Sequence, residues 1–466
     1  MSSENFPDDE TAPNMRGVRN LEEARTWLQA RNIGDIECVV PDIAGVPRGK
    51  MMPTNKFFSS NTLTMPSSIF AQTISGDYPA NDERFQYNPT DGDLYFQPDY
   101  STLTVVPWET DPTAQLIHDA FTKDGKPFPV APRNVLKRVL ELYDAEGWKP
   151  IIAPEVEFYL VKPNTDPDYP LEPPIGRSGR PEVGRQSYSI SALNEFDELI
   201  DDIYDLSEAQ GLEIDTLIHE EGAAQMEINL RHGHPLELAD QAFMFKRTIR
   251  EAALRHGIYA TFMAKAMSSQ PGSSMHIHQS IMDRATGKNI FTGADNKATS
   301  AFYHFIGGHQ HYLPALMPIM APYVNSYRRS ARNSGSPTNL FWGYDNRTVG
   351  LRVPSSSPEA RRLENRVPGS DANPYLVIAA SLAAGYLGIK KGIEPDKPRD
   401  TDNSEIMSRL PRTLLHAVDE FEEQEDLMNI FGEQFIATYR AIKLEEYETF
   451  MSVISAWERE YLLMNV

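Results

Sequence analysis

Two glutamates stand two residues apart in Pro154-Glu155-Val156-Glu157-Phe158. On a β-strand, residues i and i+2 project from one face, so this run sets two carboxylates side by side. Such a pair repels unless a cation lies between its members. A second acidic run, His219-Glu220-Glu221-Gly222-Ala223-Ala224-Gln225-Met226-Glu227, spaces Glu220 and Glu227 seven residues apart. That spacing puts them on opposite faces of an unbroken strand, and Gly222-Ala223-Ala224 is where a bend brings both to one site. A third run is Gly272-Ser273-Ser274-Met275-His276-Ile277-His278-Gln279-Ser280. Its small residues permit close backbone approach to a ligand, and His276, His278 and Ser280 share a strand face. Each run alone has a plainer explanation: a solvated strand face for a Glu-x-Glu pair, a satisfied structural histidine for His276 or His278.

The C-terminal half adds arginines in Asn325-Ser326-Tyr327-Arg328-Arg329, Asn346-Arg347, Arg352 and Arg361-Arg362-Leu363-Glu364-Asn365-Arg366. Guanidinium forks match carboxylate and phosphate oxygens. Pairing with the chain's own acids is the plainer use.

The elements that must hold these residues are legible in part. Leu21–Ala30 has apolar residues at helical spacing, with Asn20 as N-cap. Strand-like runs follow at 36–40 and 103–106, and the Ser/Thr/Pro/Asp-rich stretch from about 53 to 92 reads as loops. Lys123-Asp124-Gly125-Lys126, Pro129 and Pro132 mark a boundary. A helix opens at Pro132 and runs to about Glu146, with Val135, Val139, Leu140 and Tyr143 on one face. Beyond it, 151–160, Gln225–Leu230 and 275–281 read as strands, and 196–210 and 238–256 as helices. The segment 163–181 is a proline- and charge-rich loop, and the chain from about Ala372 is mainly helical. Residues 1–17 read as a disordered tail. The reading is a small N-terminal α+β unit followed by a large α+β domain that carries the acidic and histidine runs.

The chain's 466 residues suffice for a large core, and 40 % apolar and 24 % charged residues are ordinary for a soluble protein. A formal net charge of −22 disfavours nucleic acid or an anionic membrane as partner. It suits a solvated acidic surface and cationic ligands. The one cysteine, Cys38, excludes an intramolecular disulfide and points to a reducing compartment, the cytoplasm. The longest apolar stretch, 375–389, is too short for a membrane span and reads as a buried helix. Residues 2–14 are polar and acidic and do not read as a secretory signal.

Taken in order, the runs resemble the glutamine synthetase family, from the Asp42…Gly45…Gly49-Lys50 region to the C-terminal helices. The resemblance implies a small N-terminal β-grasp-like domain over 18–125. Over 126–466 it implies a catalytic domain with a curved antiparallel sheet and helices. It implies ATP as cosubstrate with two or three Mg²⁺ or Mn²⁺ ions. Glu157, Glu220 and Glu227 match the ligands of the metal facing the acid substrate. Glu155, His276 and Glu364 match those of the metal on the ATP phosphates. His278, Ser280 and Arg362 match nucleotide contacts, and Arg347 and Arg352 the arginines on the phosphates and the transferred phosphoryl group. Arg329, Arg366 and Gly272 match glutamate-binding positions, with Glu157 and His276 also facing the substrate. Arg329, Arg347 and Arg352 would be the catalytic arginines. The implied assembly is a dodecamer of two hexameric rings, with each active site between one subunit's N-terminal domain and its neighbour's catalytic domain.

Three departures carry information. Six residues after Arg329, where ammonia-using members have a glutamate, this chain has Gly335. The family's Asp-Gly-Ser-Ser segment is replaced by Ser67-Ser68-Ile69-Phe70-Ala71-Gln72-Thr73, and an asparagine on the acid side by Pro271. Losing a carboxylate removes ammonium's charge partner and opens volume for an alkylated amine. The chain therefore resembles the γ-glutamyl-amine ligases, such as γ-glutamylpolyamine and γ-glutamylputrescine synthetases, a branch that the His219-Glu220-Glu221-Gly222 variant also fits. The alternatives are a γ-glutamyl-monoamide synthetase for a small alkylamine and an ammonia-using glutamine synthetase. A non-enzymatic structural relative should have decayed ligands, and all six are present. The tyrosine adenylylated in many bacterial members has no counterpart, since no tyrosine lies between Tyr386 and Tyr439.

Overall fold

The computed structural model describes residues 15–59, 62–81, 85, 90–330, 337–403 and 410–466. Six strands build the first sheet: β1 (Asp35–Pro41), β2 (Pro47–Pro53), β3 (Leu63–Pro66), β4 (Asp93–Pro98), β5 (Thr104–Val105) and β6 (Thr113–Phe121). The order is β2-β1-β6-β4-β3, with β5 also on β6. Only β1 and β6 run parallel, and the other pairs are antiparallel. The helix Leu21–Ala30 forms as its pattern requires, with the Asn20 side chain accepting from the Glu22 and Glu23 amides. Ala24, Trp27 and Leu28 are its buried residues.

The loop reading of 53–92 needs correction. It contains the helix Thr54–Ser59, strand β3 and a 3₁₀ turn at Ser67–Phe70. Their apolar anchors Phe57, Leu63, Met65 and Phe70 are buried between polar residues too closely spaced to show a period. Strand β2 lies outside the runs that read as strand-like in the sequence. Of the expected tail, residues 1–14 lie outside the described residues, whereas the Gly17 amide donates to Leu103 O at 2.8 Å.

The second sheet has eight strands: β7 (Trp148–Val161), β8 (Ile214–His219), β9 (Gln225–Leu230), β10 (Tyr259–Thr261), β11 (Met275–Asp283), β12 (Trp342–Tyr344), β13 (Leu351–Val353) and β14 (Leu363–Asn365). The order is β12-β13-β14-β11-β7-β9-β8, with β10 also on β7. All pairs are antiparallel except β12 with β13. Against it pack the helices Pro132–Ala145, Pro235–Arg255, Ser300–Met320 and Pro374–Lys391. The last two cross so closely that a Cβ on Gly308 would meet Ala384 O at 2.2 Å. The apolar run 375–389 is this buried helix, and among the described residues no helix is long and apolar enough to cross a membrane. The class is α+β.

Ion pairs join the first sheet to the helices of the second layer. Arg133 donates to Asp240 at 2.9 and 3.0 Å, and reaches back to Asp119 at 2.7 Å and Asp99 at 2.6 Å. Arg247 forks onto Glu37 and stacks over Trp108. The Asn373 amide, which caps Pro374–Lys391, donates to Asp42 O at 2.9 Å.

Candidate active site

Strand register gathers the charged residues into one patch. Glu155 on β7 lies opposite His276 on β11, and His278 lies opposite Glu364 on β14. On the other side, Glu157 lies opposite Glu227 on β9. Directly opposed residues share a face, as do i and i+2, so all six project together. Glu220 joins them through the turn expected at Gly222-Ala223-Ala224. The Glu220 amide donates to Gln225 O at 2.8 Å, the Gln225 amide to Gly222 O at 3.0 Å, and Ala224 adopts φ +58°.

Two sets of three ligand atoms lie within 4.8 Å of one another: Glu155, Glu227 and His276, and Glu155, His278 and Glu364. The grouping differs from the one implied by resemblance. Glu155 belongs to both sets, and His278, expected at the nucleotide, also stands beside it, its Nε2 2.8 Å from Glu155 Oε1. The cause is register, since each histidine faces a carboxylate on the neighbouring strand.

The electrostatics favour bound cations. Burial, reinforced by Glu220, pushes the Glu157 carboxyl up to about 8 against the pull of Arg329. Burial with the charges of Glu155, Glu157 and Glu220 raises Glu227 well above the carboxylate range, and burial raises Glu220 too. Burial holds the His276 imidazole down at about 4, so it is neutral and able to ligate. Burial opposes ionisation of Glu155 and Glu364 as well, but is outweighed: by hydrogen bonds from His276 and His278 at Glu155, and by Arg366 and the two imidazoles at Glu364, which falls to about 2. Five carboxylates with neutral imidazole nitrogen form a donor set that fits Mg²⁺ or Mn²⁺.

Arginines border the patch. Arg352 donates to Glu364 Oε2 at 2.8 Å and to Asp345 at 2.7 Å, and Arg366 takes Glu364 Oε1. Arg329 is buried beneath, donating to Val367 O, Arg366 O and Ser274 Oγ at 2.7–2.9 Å. Its aliphatic stem lies where a Cβ on Gly272 would meet Cγ at 2.5 Å, which explains the glycine. Arg347 stands apart, exposed on the β12–β13 connection. Gly335 lies outside the described residues.

A cavity of about 990 Å³ opens beside Glu155. Ile151, Ala153, Ser280 and Met282 continue the ligand face into it, and His278 and Arg362 line it. The Arg362 Nε is 3.2 Å from His278 Nδ1. The three expected nucleotide contacts thus share one cavity with the edge of the carboxylate patch. Its size suits a nucleotide.

Four polar residues without an assigned role also support the patch. The Ser274 amide donates to Glu157 Oε2 at 2.7 Å, and the Ser370 hydroxyl to Glu157 O at 2.5 Å. Tyr159 and Gln225 link the Glu220 turn to the Gly272 segment. In sequence, serines and a lone Tyr or Gln carry no such signal, because their partners lie on segments far apart in the chain.

The glutamine synthetase catalytic-domain family matches residues 129–462. The chain belongs to the glutamine synthetase family. Members of this family are ATP-dependent carbon–nitrogen ligases that use divalent metals, and the chain is such a ligase. Among its relatives, the γ-glutamylputrescine synthetase PuuA of Escherichia coli is 33 % identical over 97 % of this chain and 96 % of its own. A glutamate–isopropylamine ligase of a Pseudomonas species is 32 % identical over 94 % and 97 %. A glutamine synthetase of Pyrococcus abyssi is 33 % identical over 90 % and 92 %. Among solved structures, ligand-free GmaS superposes with a TM-score of 0.81 at 28 % identity, covering 95 % of this chain and all of that one. The GmaS–ADP complex gives 0.78 at 30 %, covering 94 % and 98 %.

Proposed function

We propose that this chain is a glutamate–amine ligase that forms a γ-glutamyl amide through γ-glutamyl phosphate, with putrescine or a polyamine as the amine. The observation that carries the reading is the shared face: a patch of carboxylates and imidazoles opens directly into a nucleotide-sized cavity. A carboxylate is a poor electrophile, and an acyl phosphate has a good leaving group. In the first step a γ-carboxylate oxygen of glutamate attacks the ATP γ-phosphorus, and the bond to the bridging oxygen breaks to release ADP. In the second, an amine lone pair attacks the acyl carbon, the carbon–oxygen bond breaks, and phosphate leaves. The amine must shed its extra proton first, since an ammonium has no lone pair.

In this reading Glu157, Glu220 and Glu227 hold a cation near the acid substrate, and Glu155, His276 and Glu364 a second near the ATP phosphates. When bound, these ions neutralise charge on the reacting oxygens. His278, Ser280 and Arg362 bind the nucleotide, and Arg347 and Arg352 bind the phosphates and transferred phosphoryl group. Gly272, Arg329 and Arg366 shape the place of glutamate, with Glu157 and His276 beside it. Arg329 is the catalytic arginine of this side, held in place by Val367, Arg366 and Ser274. Gly335, in place of a glutamate, favours an alkylated amine over ammonium. The similarity to γ-glutamylputrescine synthetase and glutamate–isopropylamine ligase supports that side of the reading.

We place the domain boundary near residue 125, the enzyme in the cytoplasm, and twelve subunits in two stacked rings. The exposed apolar C-terminal segment, with Trp457, Leu463, Met464 and Val466 at 62–95 % exposure, supports burial between subunits. The test of the reading is ADP release with glutamate and ammonium, methylamine, ethanolamine, putrescine or spermidine. Turnover should require Mg²⁺ and be fastest with putrescine or spermidine. A small alkylamine as best donor would make the enzyme a monoamide synthetase. Ammonium as best donor would overturn the reading of Gly335.

A further inference from the structure

Tyr159 and Gln225 are fully buried and form a direct cross-strand pair between β7 and β9. Tyr159 lies two residues beyond Glu157, so its ring leaves the same face. Its hydroxyl is 2.9 Å from Pro271 O and 3.1 Å from Gln225 Oε1, one proton between two acceptors. Gln225 is held in one orientation. Its Oε1 accepts from the Gly222 amide at 2.9 Å, and its Nε2 donates to Gly272 O at 3.1 Å. The same Nε2 is 3.4 Å from Glu157 Oε2.

The phenol also explains a glycine. A Cβ on residue 222 would sit 1.9 Å from the Tyr159 oxygen, so the turn after Glu220-Glu221 closes onto the hydroxyl only because Gly222 has no side chain. Two side chains therefore tie three segments together: the Glu220 turn, Glu157 and Pro271-Gly272. Gly272 in turn rests on the Arg329 stem. Pro271 has no amide hydrogen, so its fixed contribution to this corner is the carbonyl that Tyr159 holds.

We propose that Tyr159 is a positioning residue for the acid substrate, setting Pro271-Gly272 through its hydroxyl and through Gln225 and coupling the Glu220 turn to the acid pocket. The inference rests on the reading that glutamate binds beside Gly272 and Arg366. It places acid recognition on backbone that a tyrosine aligns, in a pocket where Pro271 offers no side-chain amide.

Steady-state kinetics of Tyr159→Phe test it, with glutamate, ATP and amine varied in turn, alongside Mn²⁺ titration and thermal melting. Losing one buried hydroxyl contact should raise KM for glutamate about tenfold. It should leave kcat and KM for ATP near wild-type values, change Mn²⁺ affinity less than the glutamate KM, and lower Tm by no more than a few degrees. An unchanged glutamate KM, with a wild type that turns glutamate over, overturns the inference alone. A parallel loss in every parameter with a lower Tm overturns it too, because that is the mark of a purely structural tyrosine. A wild type that ligates no amine to glutamate overturns the functional reading and this inference with it.

Discussion

At Glu157, burial and the Glu220 charge lift the carboxyl to about 8. A cation binds the ionised form, so below that pH it must displace a proton. Mn²⁺ affinity should therefore climb as pH rises through about 8 and level off above it, with proton release detectable by calorimetry in buffers of different ionisation enthalpy. Glu157→Gln should weaken Mn²⁺ binding and flatten the profile, and a pH-independent affinity in the native protein would contradict the assignment. The shared face of Glu155, Glu157, His276 and His278 was legible because Glu-x-Glu and His-x-His announce it. The arginine pairing at Glu364 was not, since Arg352 and Arg366 reach it from β13 and from just beyond β14. Nor was the contact of His278 with Glu155, which depends on register between strands far apart in sequence.

The elements divide by how burial marks their sequence. Strands β7, β9 and β11 and the helix Pro132–Ala145 were readable, because apolar residues keep a period along them. Strand β2, Pro47–Pro53, was not. It is an exposed edge carrying two prolines, a glycine and a lysine, so it shows no alternation. Strand β6 fails for the opposite reason. It is buried almost throughout, and Gln115 and His118 interrupt its apolar run. Gln115 is accommodated by a hydrogen bond from its amide to Gln210, a partner 95 residues away. The segment before β11 shows what close packing demands of a single residue. In Gly272→Ala the new Cβ would meet Arg329 Cγ at 2.5 Å and the Ala264 carbonyl at 2.8 Å, and that backbone cannot give way cheaply. The variant should lose about 1–3 kcal/mol of stability by denaturant titration. Its kcat/KM for glutamate should fall by more than tenfold, and wild-type values in both would remove Gly272 from the acid pocket.

Over the whole molecule, buried charge joins the first sheet to the helices behind the second, and exposed apolar surface collects at one end of the chain. From the helix Pro132–Ala145, Arg133 holds Asp119 and Asp99 of the first-sheet region and Asp240 of the helix Pro235–Arg255, so the small sheet is fixed to the helices that pack behind the site. Beyond Met451 the chain buries almost nothing, although it carries Val453, Ile454, Trp457 and Leu463. Removing residues 452–466 should lower the particle mass in light scattering while the subunit stays folded by circular dichroism. An unchanged particle would assign assembly to other surfaces. The net charge of −22 fits a cationic cosubstrate without locating it. Competition between nitrogen donors decides whether an amine or ammonium is ligated to glutamate. Enzyme with ATP, Mg²⁺, glutamate and equal concentrations of ¹⁵N-ammonium, putrescine and spermidine should yield mainly a γ-glutamyl polyamine by mass spectrometry, one ADP per amide formed. Predominant ¹⁵N-glutamine, or ADP formed without any amide, would contradict amine ligation.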